Sequence, residues 1–175
     1  MSWPEFLPGR LRIERGSAAD YGRLKRFHYC AGRPATWAGV WVIRYQGHGS
    51  AAQCAAVAVL SWPALDVAAR QQALGLERWS AQRRRRFVNR HVRCISRVIV
   101  HPLFRGMGLG TRLVRHVLRR CPTRYVEAFA RMGWVHPLFE RAGMQRVDGP
   151  GWQVGRPVYY LLDRSAALAK PAACQ

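Results

Sequence analysis

The chain has 175 residues, 49% of them hydrophobic, and 29 basic residues against 9 acidic ones give it a formal net charge of +20. That is enough apolar material for one domain with a core of its own. No run of 18 apolar residues is present, so no membrane-crossing helix is expected. The N-terminal stretch MSWPEFLPGRLRIERG lacks a basic-then-apolar leader, so a cytoplasmic protein is expected. Five scattered cysteines, none in a C-x-x-C pair, fit free thiols packed as small hydrophobes better than a zinc site. Lys25 and Lys170 are the only lysines, so arginine carries the charge, and such a surface attracts polyanions.

Residues 9–15 alternate as an early strand. From Ser17 a helix is expected, with Asp20 in its first turn and Tyr21, Leu24 and Phe27 at helical spacing, until Gly32-Arg33-Pro34 break it. A strand rich in Trp, Val and Ile follows over 37–46. GHGSA then makes a turn into 53–63, which is apolar throughout and therefore central in a sheet. Residues 64–92 read as a basic, mainly helical insertion. Within it lie Arg83, Arg84, Arg85 and Arg86, candidates for phosphate contact with a nucleic acid or, equally, a solvated helix face. A strand over 92–102, a helix over 108–121, a buried strand over 124–130, a short helix ended by Gly143, and closing strands at MQRV and 157–164 complete the order. Strand, helix, hairpin, insertion, strand, helix, strand is α/β with a mixed central sheet. One domain over 1–165 and a flexible tail over 166–175 are expected, with no internal repeat.

Between strand 92–102 and the next helix lie Gly106, Gly108 and Gly110. Without Cβ atoms, backbone N–H groups there can approach a ligand closely, and the helix start adds unpaired donors and partial positive charge. That combination suits a pyrophosphate. Arg105 stands at the loop's entry and Thr111 in the first turn. No Gly-Lys-Ser/Thr follows, so the loop is not a P-loop. It comes late and lacks an acidic residue about twenty positions on, so it is not a standard dinucleotide fingerprint.

The segment CISRVIVHPLFRGMGLGTRLVRHVL resembles the acyl-CoA-binding segment of the GNAT acyltransferases. That family's Arg/Gln-x-x-Gly-x-Gly/Ala pattern is met by Arg105, Gly108 and Gly110, and HPLFERAGM (136–144) is similar to its short helix ending in a Gly-apolar pair. The resemblance spans roughly 10–162. It implies a GNAT-like fold with a splayed strand pair, the strand of Val98 and Val100 parting from 124–130 to admit pantetheine. It also implies acetyl-CoA or another acyl-CoA as donor, and an amine that attacks the thioester directly. The chemistry then needs a base, an oxyanion donor and an acid.

Where the family often places a tyrosine as acid, this chain has Phe139, which has no proton to give; His136, Tyr125 and Ser96 are the alternatives. Glu127, alone among apolar residues, is the candidate base or, alternatively, the partner of an arginine. His28 and Tyr29 adjoin at a helix end on the expected acceptor side. Their run H-Y-x-x-x-R-P, with CISRV, resembles two subgroups: the GNAT-like domains beside ABC-type ATPases, and the phage Mom DNA-modification proteins. Under the Mom-like alternative His28, Tyr29 and Glu127 would bind iron; otherwise no metal is expected. The acceptor is expected to be nucleic acid or bound to it, with a small amine or protein as the other option. Trp37, Trp41, Trp79 and Trp134 are candidates to stack a base.

Overall fold

The computed structural model describes residues 9–29, 32–47, 51–147 and 156–168. Strands β1 (Gly9–Arg15), β2 (Gly39–Gly47), β3 (Gln53–Ser61), β4 (Val92–Val100), β5 (Tyr125–Ala130), β6 (Gln145–Val147) and β7 (Val158–Asp163) lie in the order β1-β2-β3-β4-β5-β7-β6. The β4–β5 pair is parallel; β1–β2, β2–β3, β5–β7 and β6–β7 are antiparallel. Helices are α1 (Ala18–Leu24), α2 (Ala68–Ala73), α3 (Ala81–His91), α4 (Leu109–Arg120), α5 (Leu138–Arg141) and α6 (Arg164–Leu168). The expected mixed α/β sheet is therefore present.

The chain divides into two compact units. One comprises residues 1–61 and 96–119, the other 62–95 and 120–175.

In the first unit β1 alternates as its sequence predicts, with Leu11 buried and Arg10, Arg12 and Glu14 outward. β3 is buried from Cys54 to Ser61, as an uninterrupted apolar run requires of a central strand. Tyr21 and Leu24 of α1 pack on Val40, Val42, Val57, Val59 and Ile99. The helix from Ser17 is shorter than its pattern suggests: it ends at Leu24 and tightens into one 3-10 turn, Lys25–Phe27. At its start the Asp20 carboxylate accepts from the Ser17 N–H at 2.9 Å, joining Ser17 and Asp20 as a reciprocal cap.

Asp20 is also a buried acid, paired with Arg44 Nη1 of β2 at 2.8 Å. Burial pushes its carboxyl up, but the Ser17 N–H and the Arg44 guanidinium together hold it below its ordinary value. A depressed folded-state pKa gives stability that is present above the ordinary carboxylate range and lost as pH falls through the lowered value. Thermal midpoints of the wild type are thus expected to drop below about pH 4. Arg44→Gln should lower stability at neutral pH and flatten that acid limb. An acid limb identical in both proteins would remove Asp20 from the account.

In the second unit Val88 of α3 packs with Val92, Tyr125, Tyr159 and Leu161. The segment expected to be mainly helical holds two helices, α2 and α3, separated by residues 74–80. β5 is buried over Tyr125–Ala128, whereas Phe129 is exposed. Gly143, at φ +101°, ends the α5 region as expected. Helix α6 extends three residues into the expected tail; the remainder of that tail and the centre of the GHGSA turn lie outside the described residues. Cys54, Cys94 and Cys121 are free thiols. Among the described residues no helix is long and apolar enough to cross a membrane.

Candidate acyl-CoA site and its neighbours

β4 leads into the glycine loop. The His101 N–H donates to the Ala55 carbonyl of β3 at 2.9 Å. Backbone groups alternate sides along a strand, so the odd-numbered residues of β4 face β3, and Ser96, Val98 and Val100 face the opposite edge. The ladder between β4 and β5 pairs Val92–Ile95 with Tyr125–Ala128. β4 continues past it to Val100. On this edge the Ser96 carbonyl accepts from Arg97 Nη1 at 2.7 Å and the Val100 carbonyl from Arg105 Nε at 3.3 Å. The backbone of Val98 lies between those two arginine-capped carbonyls.

After the 3-10 turn Pro102–Phe104 the chain passes Arg105 to Gly106 and Gly108, which adopt φ of +80° and +71°. These left-handed conformations are costly for any residue bearing a Cβ. At both positions a Cβ would meet nothing within 4 Å. The glycines therefore answer a backbone requirement and leave open space above the loop. Arg112 N donates to Gly108 O at 3.1 Å, so Gly108 caps α4. Leu109, Gly110 and Thr111 then supply the first-turn N–H groups that have no partner inside a helix. Leu113, Val114, Val117 and Leu118 bury one stripe of α4 and fix that end in place. Nothing negative stands in the first turn, so the helix start is left to attract an anion.

Arg105 is exposed, and its Nη2 also donates to the Phe27 carbonyl at 3.4 Å. His28 and Tyr29 follow directly, their rings stacked at 4.5 Å, with Tyr29 mostly exposed. The structure thus sets the His-Tyr pair one residue from a ligand of the loop's arginine.

Ser96 forms a chain with a residue that its sequence position does not advertise. Ser61 Oγ donates to the Thr36 carbonyl at 2.7 Å, and Ser61 and Ser96 hydroxyls are 2.6 Å apart. A hydroxyl has one proton. Ser61 gives its proton to Thr36, and the Ser96 hydroxyl, which also approaches the Val59 carbonyl at 3.4 Å, gives its own to the much closer Ser61 oxygen and presents lone pairs. That direction suits Ser96 to receive a hydrogen bond from a substrate amine rather than to serve as an acid.

Glu127 is fully buried in the second unit. Arg70 Nη1 donates to its two oxygens at 3.0 and 3.2 Å, and the Tyr159 hydroxyl donates to Oε2 at 3.0 Å. Burial raises the Glu127 carboxyl, while Arg70 and Tyr159 pull it back; burial and Glu127 together push Tyr159 up. Arg70 Nη2 donates to the Ala64 and Leu65 carbonyls, so this guanidinium bolts the inserted segment to β5. A carboxylate enclosed this way suits a salt bridge, not a metal ligand. Among the described residues no group of three His, Cys, Asp or Glu is placed to hold a metal ion.

Of the other acid candidates, Tyr125 is buried among Val88, Val92 and Tyr159, and His136 is exposed. Phe139 is buried against Tyr160 at 5.3 Å. Trp41 is buried under Arg15, Trp37 packs edge-on to Tyr21, and the Trp134 indole N–H donates to the Arg156 carbonyl at 2.8 Å.

The run of four arginines on α3 does not act as one patch. Arg83, Arg85 and Arg86 are exposed. Arg84 turns inward, and its Nη1 donates to the Trp79 carbonyl at 2.7 Å. Four consecutive residues at 100° each cannot share one helix face.

A model of the acetyltransferase (GNAT) family matches residues 32–144. No curated protein sequence matches the chain. Among solved structures, AAC(6')-Ib in complex with paromomycin and acetyl-CoA is 16% identical, with TM-score 0.54 over 94% of this chain and 99% of that one. Ard1 from Thermoplasma volcanium is 16% identical, with TM-score 0.54 over 87% and 97%. The KacTA–DNA complex is 14% identical, with TM-score 0.51 over 87% and 93%. At these identities the structures establish a shared fold. With the glycine loop and the parallel β4–β5 pair in place, and with the family model covering more than half its length, the chain belongs to the GNAT acetyltransferase family.

Proposed function

We propose that this chain is an acetyl-CoA-dependent N-acetyltransferase whose acceptor amine is carried on a nucleic acid. The observation that carries the donor half is the open loop, with Gly106 and Gly108 in left-handed conformations and unfilled space above them. Backbone N–H groups of that loop and of the first turn of α4 take the pyrophosphate, with Thr111 adding a hydroxyl and Arg105 a charge. The edge of β4 at Val98 and Val100 takes the pantetheine amides. Structures with acetyl-CoA or coenzyme A bound, such as two of AAC(6')-Ib, share the fold.

The acceptor half rests on charge. Along residues 64–93 the exposed arginines Arg78, Arg83, Arg85, Arg86 and Arg90 stand against only Asp66 and Glu77. Exposed arginines without matching acids attract phosphates.

In the transfer itself the amine nitrogen attacks the thioester carbonyl, its proton passes to a base, and the C–S bond breaks to release coenzyme A as a thiolate that regains that proton. His28 is assigned as the base, because an imidazole accepts protons near neutral pH and lies beside the arginine that lines the loop. Tyr29, stacked on it, orients the ring. Ser96, directed by Ser61, accepts a hydrogen bond from the amine and holds it for attack. Glu127 is a positioning residue that fixes β5 through Arg70. The iron-bearing alternative loses its carboxylate to that pair, and the intact glycine loop favours a conventional acyl donor. The subgroup resemblance to GNAT-like domains beside ABC-type ATPases then rests on His28, Tyr29, Arg33 and Pro34.

The test is nucleoside mass spectrometry on DNA and RNA from cells expressing wild type or a Gly108→Trp variant. A nucleoside 42 Da heavier, the mass of an added acetyl group (about 42 Da), is expected with wild type alone. Identical nucleosides in both, with acetyl-CoA still bound by the pure wild type, would move the acceptor to a small-molecule or protein amine.

A further inference from the structure

Trp62 follows β3 directly and is 45% exposed. The Arg93 guanidinium lies over its ring at 3.5 Å. Arg93 is held there by its own backbone surroundings, because Nη1 donates to the Asn89 carbonyl at 2.9 Å and the Val92 carbonyl at 2.7 Å. No carboxylate is among those partners. These two bonds hold the guanidinium over the indole. Asn89 is in the last turn of α3, where exposed Arg86 and Arg90 stand one turn apart. A second guanidinium–indole pair, Arg83 over Trp79 at 3.9 Å, sits at the other end of the same helix.

An exposed indole with a cation over its ring, beside a helix end that carries Arg86 and Arg90, matches the chemistry of single-stranded nucleic acid. Such a strand offers phosphates to arginine and unpaired bases to aromatic planes. A duplex offers no free base, and an acidic peptide has nothing planar for the indole. We propose that Trp62, backed by Arg93, is a stacking platform for an unpaired base, with the adjoining phosphates taken by Arg86 and Arg90. This rests on the nucleic-acid acceptor reading above and narrows that acceptor to unpaired nucleotides. Arg84, spent on the Trp79 carbonyl, takes no part.

The test is fluorescence anisotropy of the full chain with a labelled ten-nucleotide oligo(dT) or oligo(U), each intact or carrying central abasic sites. Wild type is expected to bind the intact strand about tenfold more tightly than the abasic one, a comparison that alters no residue. Trp62→Ala should lose that preference and Trp62→Phe restore most of it, both with the wild-type salt dependence. Neutralising Arg86 and Arg90 to Gln should reduce the slope of log affinity against log salt by about 1.4 and leave the preference for intact bases. Equal affinity of wild type for intact and abasic strands overturns the platform and leaves the nucleic-acid acceptor standing. No salt-dependent binding to any strand overturns both.

Discussion

Gly108→Trp is expected to weaken acetyl-CoA binding by at least about 100-fold while the protein still folds. Two features of the loop make the effect so one-sided. At φ +71° a side chain is strained, which costs about 1 kcal/mol. No neighbour within 4 Å resists it, so the indole projects into the space assigned to the pyrophosphate. The stability cost is small and the ligand cost large. Calorimetric titration with acetyl-CoA, paired with a thermal melt, separates them. Undiminished binding in a folded Gly108→Trp protein would show that the donor lies elsewhere.

Arg70→Ala is expected to be the most destabilising single change in the second unit, about 3–5 kcal/mol by denaturant titration. It leaves Glu127 buried with only Tyr159 as a donor and frees the Ala64–Leu65 segment. Replacing both partners with apolar residues of similar size, Arg70→Met with Glu127→Leu, should recover much of the loss, because neither charge is then stranded. The same pair decides what Glu127 does. As a positioning residue, Glu127→Gln keeps kcat within a few-fold and moves stability. As a general base it would lose about 100-fold or more in kcat with stability little changed. The first result is expected.

Local features of the fold are legible in the chain because they depend on neighbours in sequence. Leu11 and Ile13 alternate with charged residues, Cys54 to Leu60 are apolar without a break, and Ser17 stands three residues before Asp20. The glycine loop is legible for the same reason: three glycines in five positions meet one arginine and one helix start. Partners far apart in sequence are not legible. Glu127 shows only that an acid sits in an apolar strand; the guanidinium that neutralises it is 57 residues away, in a basic segment whose sequence names no partner for it. Asp20 looks like an ordinary first-turn acid until Arg44 reaches it from β2. Ser61 gains meaning only from Ser96, 35 residues on, and Trp62 only from Arg93. The inward turn of Arg84 was within reach of helical geometry alone, since a run of four identical residues must spread around the helix.

The most direct measurement is transfer of radiolabelled acetyl from acetyl-CoA by the purified chain to single-stranded oligonucleotides. A small polyamine and a lysine-rich peptide serve as rival acceptors. Label is expected on the oligonucleotide, abolished by Gly108→Trp and reduced at least tenfold by His28→Ala. Label confined to the polyamine or the peptide would contradict it.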